Sequence, residues 1–367
     1  MLKTSDELQL LCNKVEKHYR SGLPFVMYHE PNSTEIIAQF QQDDRLTFVG
    51  DFEENGFVFA PFDGNEMVLL PAQSAEFIRI DYSTPNEKIP FIESAKSDAG
   101  NSKKHHLDLV QKGIDAIKNG DFEKVVLSRT ESIIVPKFDF LNAFQKMMLY
   151  YPEAFGYCFF HPKVGLWMGA FSEQLFSIQN KQFRTMSVAG TQLTKNDEVV
   201  SWGSKEKTEQ QFVTDFLVAS LANFVSDLKL SEPYTLHAGN VQHLKTDIEG
   251  KLKSQFDLKN ILAVLHPTPA VCGFPKESSK KFILDNEGFD RQFYAGFLGT
   301  LNSNIQGNES ESALYVNLRC MKIEPMSNEK AATITLFMGG GITENSIPEN
   351  EWIETVNKSN TMKSLLL

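Results

Sequence analysis

The spacing of apolar residues changes several times along the chain. In the first twenty residues, MLKTSDELQLLCNKVEKHYR, apolar positions recur at helical intervals, as an amphipathic helix requires. From 24 to 82 the pattern turns β-like. FVMYHE, RLTFVG, NGFVFAPF and MVLLPA are short apolar runs broken by turn signals such as Pro31-Asn32 and Asp63-Gly64. Ser83 to Ser102 is polar, holds two prolines and reads as a linker. Leu107, Leu109, Val110, Ile114 and Ile117 then share a stripe, predicting a helix from His106 to Asn119 that Gly120 ends. KVVLSRTESIIV (124–135) predicts a strand and Phe138–Tyr150 a short helix. FGYCFFHP, GLWMGA, QLFSIQ and QFRTMSVAG predict a meander. Phe212, Phe216, Leu217, Leu221 and Phe224 share a stripe and predict a helix from Lys205 to Asp227.

A strand pair around Tyr234–Leu252, a helix at Leu258–Leu265, the loop HPTPAVCGFP (266–275) and a helix from Lys276 to Asp285 follow. The strands YAGFLGTL and ALYVNLRCMKI come next, joined by an Asn/Ser-rich turn at 302–312. Near the C-terminus Ala332, Ile334 and Leu336 alternate with Thr333, Thr335 and Phe337, run into three glycines, and give way to a helix. Ser346 and Glu349 have the spacing of a capping box there, with Pro348 in the first turn. Strands in antiparallel meanders separated by helices, without a βαβ rhythm, define an α+β protein with large sheets flanked by helices.

Composition narrows the partners. The 367 residues suffice for one large domain or two with a substantial core. A net charge of −11 sets aside nucleic acid and anionic membrane surfaces. It leaves room for an anionic small molecule, because a bound cation inverts the local field. Cys12, Cys158, Cys272 and Cys320 are scattered without a CxxC pair, which suits reduced thiols and offers no zinc site. The N-terminal stretch lacks the apolar core of a signal peptide, and no run approaches transmembrane length. A cytoplasmic protein is expected.

Several charged residues interrupt the apolar pattern. Lys124 stands at the mouth of the strand Val125–Leu127, either as a snorkelling strand-end residue or as a desolvated lysine able to act as a base. Glu173 follows the strand Leu166–Ala170, where plain exposure is the ordinary outcome. Glu206 and Glu209 open a helix, where acids suit the dipole whatever their function. Arg319 interrupts ALYVNLRC and calls for a carboxylate, of the protein or of a ligand. Glu351, Glu354 and Lys358 share one helix face, as an ordinary i,i+4 pair or as carboxylates for a hard cation such as Mg²⁺. The glycines before that helix let a ligand approach the backbone closely. His266 stands where it could simply cap the preceding helix.

Together these residues resemble the chorismate-utilising enzymes: the isochorismate, salicylate, anthranilate and aminodeoxychorismate synthases. KVVLSR (124–129), GAFSE (169–173), SVAGT (187–191), KEKTEQ (205–210) and HPTPAVCGFP (266–275) carry the resemblance, in the family's order. FDRQFYAG (289–296), NLRC (317–320), and FMGGGI with EWIET and Lys358 complete it. It covers about residues 106–367, the chorismate-binding catalytic region, while 1–105 matches as a β-rich N-terminal part of the same fold with its linker.

The resemblance implies two large antiparallel sheets stacked face to face, helices outside, and chorismate with Mg²⁺ between the sheets. Members using water look for a lysine base at the KVVLSR position, and Lys124 supplies it. Anthranilate synthases, which use ammonia, typically lack it. Aminodeoxychorismate synthases carry a nucleophilic lysine in PIKGT, where this chain has Ala189. HPTPAVCG has the isochorismate synthase form. Mg²⁺-dependent isomerisation of chorismate to isochorismate, a precursor of menaquinone and catechol siderophores, is therefore expected. Salicylate formation with loss of pyruvate is the alternative, and a non-catalytic metabolite binder a third reading.

By the same resemblance Lys124 takes a proton from the water attacking C2, and protonated Glu173 donates to the departing C4 hydroxyl. Glu209 and Glu354 correspond to the magnesium ligands. Arg319, Lys358 and the amides around Gly339, Gly340 and Gly341 hold the substrate's carboxylates. Ala189, Gly190, Thr191, His243, His266 and Thr268 line the pocket. No glutaminase subunit is expected, and the protein is expected to be a monomer. Three positions depart from the family pattern: Gln210 where histidine is common, Ser172 where proline is usual, and Gly340 where alanine is usual.

Overall fold

A computed structural model describes residues 6–82, 100–193, 201–238, 241–253, 257–304, 310–326 and 331–366. Helix α1 (Asp6–Arg20) leads into β1 (Phe25–His29), β2 (Glu35–Gln41), β3 (Thr47–Phe48), β4 (Gly56–Ala60), β5 (Val68–Pro71) and β6 (Ala75–Asp81). Then come α2 (Gly100–Lys118), β7 (Lys124–Pro136), α3 (Phe140–Tyr150), β8 (Phe155–His161), β9 (Gly165–Phe171), β10 (Gln174–Gln179) and β11 (Gln182–Leu193). Helix α4 (Ser204–Leu221), β12 (Val225–Leu230), β13 (Tyr234–Ala238), β14 (Val241–Leu252), α5 (Leu258–Leu265), β15 (Gly273–Phe274) and α6 (Lys276–Asn286) follow. Strands β16 (Phe297–Ser303), β17 (Glu311–Val316), β18 (Cys320–Pro325) and β19 (Ala331–Ile342) precede α7 (Pro348–Lys363).

The strands form two antiparallel sheets. The first has the order β15-β7-β19-β18-β9-β8-β1-β2-β6, and the second β12-β14-β11-β10-β17-β16-β4-β5-β3, with β13 also on β14. Val26 and Tyr28 of β1 enter a core shared with Phe57 and Phe59 of the second sheet, and with Phe155 and Trp167. Phe25 and Met27, alternating with them, face a second core under α1 and α3 with Leu11, Val15, Phe144 and Met147. Both faces of the first sheet are thus buried, which is why β1 and β8 are unbroken apolar runs rather than alternations. Asp139 and Asp257 start α3 and α5 by accepting backbone N–H groups, each such cap being worth about 1 kcal/mol. No helix among the described residues is long and apolar enough to cross a membrane.

Five expectations from the sequence change here. The meander over 155–193 is divided, since β8 and β9 lie in the first sheet and β10 and β11 in the second. ALYVNLRCMKI is likewise two strands, β17 in the second sheet and β18 in the first, parted at Asn317–Arg319. Helix α4 stops at Leu221 rather than Asp227, because Val225–Leu230 pairs with β14 as an edge strand. The strand ending in glycines does not turn there: Gly339, Gly340 and Gly341 pair with Ser128, Leu127 and Val126. Ser346 does not cap α7. Its hydroxyl accepts the N–H of Thr343, Ile347 is the N-cap, and Glu349 pairs with Lys103 of α2 at 2.8 Å. Of the linker reading, residues 83–99 lie outside the described residues, and Gly100–Ser102 already belong to α2.

Candidate active site

The two places where the chain leaves one sheet for the other supply Glu173 and Arg319. They are bonded to each other: Val316 N–H donates to the Glu173 carbonyl at 3.0 Å, and Ala170 N–H to the Arg319 carbonyl at 3.2 Å. Asn317, fully buried, holds the second crossing by accepting from Tyr157 Oη at 2.9 Å and donating to the Phe293 carbonyl at 2.8 Å. Arg319 has φ 44°, a left-handed conformation that costs a non-glycine residue free energy and is commonly found at functional sites.

Lys124 opens β7, and the neighbouring β19 is bare beside it. A Cβ on Gly341 would lie 3.1 Å from Lys124 Cε, and one on Gly339 2.8 Å from the Tyr294 hydroxyl. On the opposite side of the strand, a Cβ on Gly340 would meet Glu351 and Glu354 oxygens at 3.6 and 3.7 Å. The glycines therefore let Lys124 from one face and the acids of α7 from the other converge on one strip of backbone. Lys358 completes this edge, donating to the Gly339 carbonyl at 2.8 Å and pairing with Glu354 at 2.5 Å.

The third wall comes from β11, β14 and α4. Pairing of β11 with β14 shifts between Ala189↔Leu244 and Gln192↔Gln242, so Gly190 and Thr191 together oppose His243. This is a β-bulge with glycine at φ +71°, where other residues are strained. His243 Nδ1 lies 2.9 Å from the Gly190 carbonyl, so that nitrogen carries the proton.

Helix α4 is pinned to the same two strands by Gln210. Its Nε2 lies 2.8 Å from Ser187 Oγ, 2.9 Å from Thr214 Oγ1 and 2.8 Å from Thr246 Oγ1. The departure from histidine is thus a buried amide–hydroxyl clamp, adjacent in sequence to Glu209. Gln210→Met keeps the length but takes the amide donor from Thr246 Oγ1, while Ser187 Oγ and Thr214 Oγ1 keep each other at 2.6 Å, and is expected to lower the unfolding free energy by about 1–3 kcal/mol. Urea melts in which the variant matches the wild type would remove the clamp.

Electrostatics place these residues around one space. Burial pushes the Lys124 ammonium below its ordinary pKa against the opposing pull of Glu209, Glu173 and Glu354, while Lys358 adds to the depression. Burial pushes the Glu173 carboxyl up to about 7, though Arg319, Lys124 and Lys358 hold it back. Burial also lowers His243 to about 4, with the positive charges of Arg319 and Lys358, so its imidazole is neutral. Burial would raise the Glu354 carboxyl, but Lys358, Arg319 and His243 outweigh it and the group is held below its usual value. Its side chain is still 34% exposed. A carboxylate both desolvated and accessible marks the wall of a cleft.

Other predicted pocket residues are placed as follows. Ala189 packs at the edge of the inter-sheet core. The backbone of Thr191 belongs to the bulge. The Thr268 hydroxyl is buried without a hydrogen-bond partner among the described residues. His266 stands in different company: its Nε2 lies 3.2 Å from the Pro61 carbonyl and its ring meets Phe297 edge-on. Burial lowers it to about 4, and its charged neighbours are Lys280 and Lys276. Tyr294 was not singled out from the sequence, yet its hydroxyl lies 2.8 Å from where a Cβ of Gly339 would stand, and burial pushes it up to about 12, so it stays a neutral phenol close to Arg319. The one signal was its place inside FDRQFYAG. A separate cavity of about 210 Å³, lined by His29, Glu35, Tyr82 and Met148 among others, lies on the outer face of the first sheet and shares none of these groups.

Desolvated Lys124, Glu173, Arg319 and Glu354, with Lys358 and Glu209, thus form one cluster of interacting charges where the two sheets exchange strands, an arrangement of the class found in enzyme sites. The family model "Chorismate binding enzyme" matches residues 68–367, and the chain belongs to that family. Its sequence relatives include the isochorismate synthase MenF of Pasteurella multocida, 29% identical over 317 residues. That alignment covers 83% of this chain and 70% of the relative. The isochorismate synthase EntC of Escherichia coli K12 is 29% identical over 250 residues, 65% of this chain and 61% of EntC.

Among solved structures, the Bacillus anthracis protein titled putative 2,3-dihydroxybenzoate-specific isochorismate synthase DhbC superposes with a TM-score of 0.76 at 23% identity. It covers 97% of this chain and 99% of that one. Anthranilate synthase component I of Streptococcus pneumoniae also superposes, with a TM-score of 0.67 at 19% identity, over 92% of each chain. The fold is common to proteins titled isochorismate synthase and anthranilate synthase, so the side chains must decide the reaction.

Proposed function

We propose that the protein is an isochorismate synthase. What carries this reading, in a chain of the chorismate-binding family, is that Lys124 and Glu173 are both desolvated and feel each other's charge, burial depressing the lysine and raising the glutamate to about 7. A general base and a general acid for chemistry near neutrality need those shifts. Neutral Lys124 takes a proton from water as its oxygen bonds to C2 of the chorismate ring. The ring double bonds shift, the C4–O bond breaks, and protonated Glu173 gives its proton to the departing hydroxyl. One water enters and one leaves, so the change is an isomerisation. Arg319 and Lys358 hold the substrate's carboxylates.

Among the described residues no three His, Cys, Asp or Glu side chains form a ready metal cage. Two glutamates nevertheless suit Mg²⁺, which keeps several waters and uses one or two carboxylates plus the ligand. Glu209 and Glu354, which both act on Lys124, would hold it. Bound there, the cation would neutralise and orient the ring carboxylate.

Incubation with chorismate and Mg²⁺ should yield isochorismate, identified chromatographically, without pyruvate release or an ammonia requirement. Salicylate with stoichiometric pyruvate would move the assignment to salicylate synthase. Anthranilate formed from ammonia would remove the water mechanism, and binding without turnover would leave a metabolite binder. EDTA should abolish turnover and Mg²⁺ restore it, and Glu354→Gln should cost far more activity than Glu351→Gln. Similar losses from the two substitutions, or activity that survives EDTA, would sink the metal assignment.

A further inference from the structure

Strand β7 carries Lys124 at its first position, and its two sides are unlike. Toward β19 it meets Gly339, Gly340 and Gly341, which have no side chains to wedge it in place. Toward the sheet edge, β15 is only two residues long, and Gly273 and Phe274 pair with Val125 and Lys124. Past that point Val126 and Ser128 are buried, with no strand beside them among the described residues. Buried backbone groups must still find partners.

Side chains from α6 and the turn after it supply them. Ser279 Oγ donates to the Lys124 carbonyl at 2.9 Å. Arg291 Nη2 donates to the Val126 carbonyl at 2.7 Å, and Glu287 Oε1 accepts the Ser128 N–H at 2.7 Å. Arg291 and Glu287 are joined by a two-pronged ion pair, Nε to Oε2 at 2.8 Å and Nη2 to Oε1 at 2.5 Å. Ser279, Glu287 and Arg291 are all buried. A Cβ on Gly273 would meet Ser279 Oγ at 2.7 Å, so α6 comes this close only because that residue is glycine.

These side chains make the bonds a neighbouring strand would make. The two from the ion pair are charge-assisted, and its fork fixes direction as well as distance. A buried ion pair can often be replaced by apolar residues at little cost in stability, so stability alone does not account for this one.

We propose that Ser279, Glu287 and Arg291 form a side-chain ladder in place of a strand, and that they are positioning residues: the ladder holds β7 where the Lys124 side chain lies over Gly341. The catalytic end of this inference rests on the isochorismate synthase reading, while the ladder itself does not.

The test uses full-length protein, kinetics with chorismate and Mg²⁺, and hydrogen exchange of the peptide spanning 124–130 read by mass spectrometry. Glu287→Gln/Arg291→Met removes both charges together and leaves no unpaired charge inside. Exchange in that peptide should quicken about tenfold as the strand opens locally. Its kcat should fall about tenfold while KM stays within about threefold, the split expected when a reacting group rather than a binding group is displaced. Arg291→Lys keeps a charge opposite Glu287 and should lie between the double variant and the wild type. Ser279→Ala loses one neutral hydrogen bond and should show the same split at about threefold in kcat. Ile283→Ala, in the same helix and buried but with no side-chain part in the ladder, should lower the melting temperature and leave kcat unchanged.

A double variant with wild-type exchange or wild-type kcat overturns the proposal, as does one in which KM rises while kcat holds. A loss of kcat in Ile283→Ala equal to that of the ladder variants also overturns it. Should the double variant fail to fold, Ser279→Ala decides, and wild-type kcat there overturns the proposal. A wild type that leaves chorismate unchanged would remove the functional reading and the positioning role with it, while exchange at 124–130 would still decide whether the ladder holds the strand.

Discussion

Lys124→Ala and Glu173→Gln should each lower kcat by about 10²–10⁴-fold with KM little changed, the usual loss when a general base or acid is removed. Substrate binding rests on Arg319, Lys358 and the carboxylate pair, none of which these substitutions touch. The pH profile separates the roles. The base must be neutral, so activity requiring Lys124 is lost as pH falls. The acid must be protonated, so activity requiring Glu173 is lost as pH rises. The wild-type curve is therefore bell-shaped, and its limbs belong to the coupled pair rather than to either residue alone. In Lys124→Ala the acid limb should vanish, leaving residual activity that declines only as Glu173 ionises, at a higher pH than in the wild type because the Lys124 charge no longer holds that carboxyl down. In Glu173→Gln the alkaline limb should vanish. A folded Lys124→Ala enzyme with near-normal kcat would restore the plainer reading of that lysine as a strand-end residue.

The three glycines of β19 should behave differently from one another. A methyl group on Gly341 stands 3.1 Å from Lys124 Cε, and the flexible end of the lysine is what must yield. Gly341→Ala should therefore leave the melting temperature almost unchanged and lower kcat about 10²-fold, the order of loss for a reacting group displaced by roughly 1 Å. Gly339→Ala is harsher, since its methyl meets Ser128 Oγ at 2.7 Å and the Leu127 carbonyl at 3.0 Å, so both stability and activity should fall. Gly340→Ala meets only carboxylate oxygens at 3.6 Å or more, an ordinary contact. It sits in an extended strand, where alanine restricts the unfolded chain and stabilises by about 0.4–1 kcal/mol. That variant should retain wild-type kcat and melt slightly higher. Turnover by Gly341→Ala equal to that of Gly340→Ala would show that Lys124 does not work where the structure places it.

By itself the sequence determined the family, the α+β class and most element positions, and it singled out the candidate acid–base and carboxylate residues. Those follow from local periods and from motifs whose residues are adjacent in the chain. Helices α1, α3, α5 and α6 were legible because an apolar stripe is a local property. What the sequence could not show was which sheet each strand joins. GLWMGA is buried almost throughout and QLFSIQ only in part, and nothing in either pattern says that the chain changes sheets between them. The same holds at Asn317–Arg319, where one apolar run is two strands. Only the tertiary structure revealed that these two crossings touch, and that they carry Glu173 and Arg319 into the same cleft.

The bulge at Gly190 and the clamp made by Gln210 were hidden for a related reason. Each depends on partners 20 to 55 positions away, such as Thr246 for Gln210 and His243 for Gly190. The capping box at Ser346 failed because a donor on its other side, the Thr343 N–H, took the hydroxyl. Residue type set which groups could ionise. Burial and the charges brought together by folding decided in which direction each one shifts, because desolvation and Coulomb interactions act through space and not along the chain.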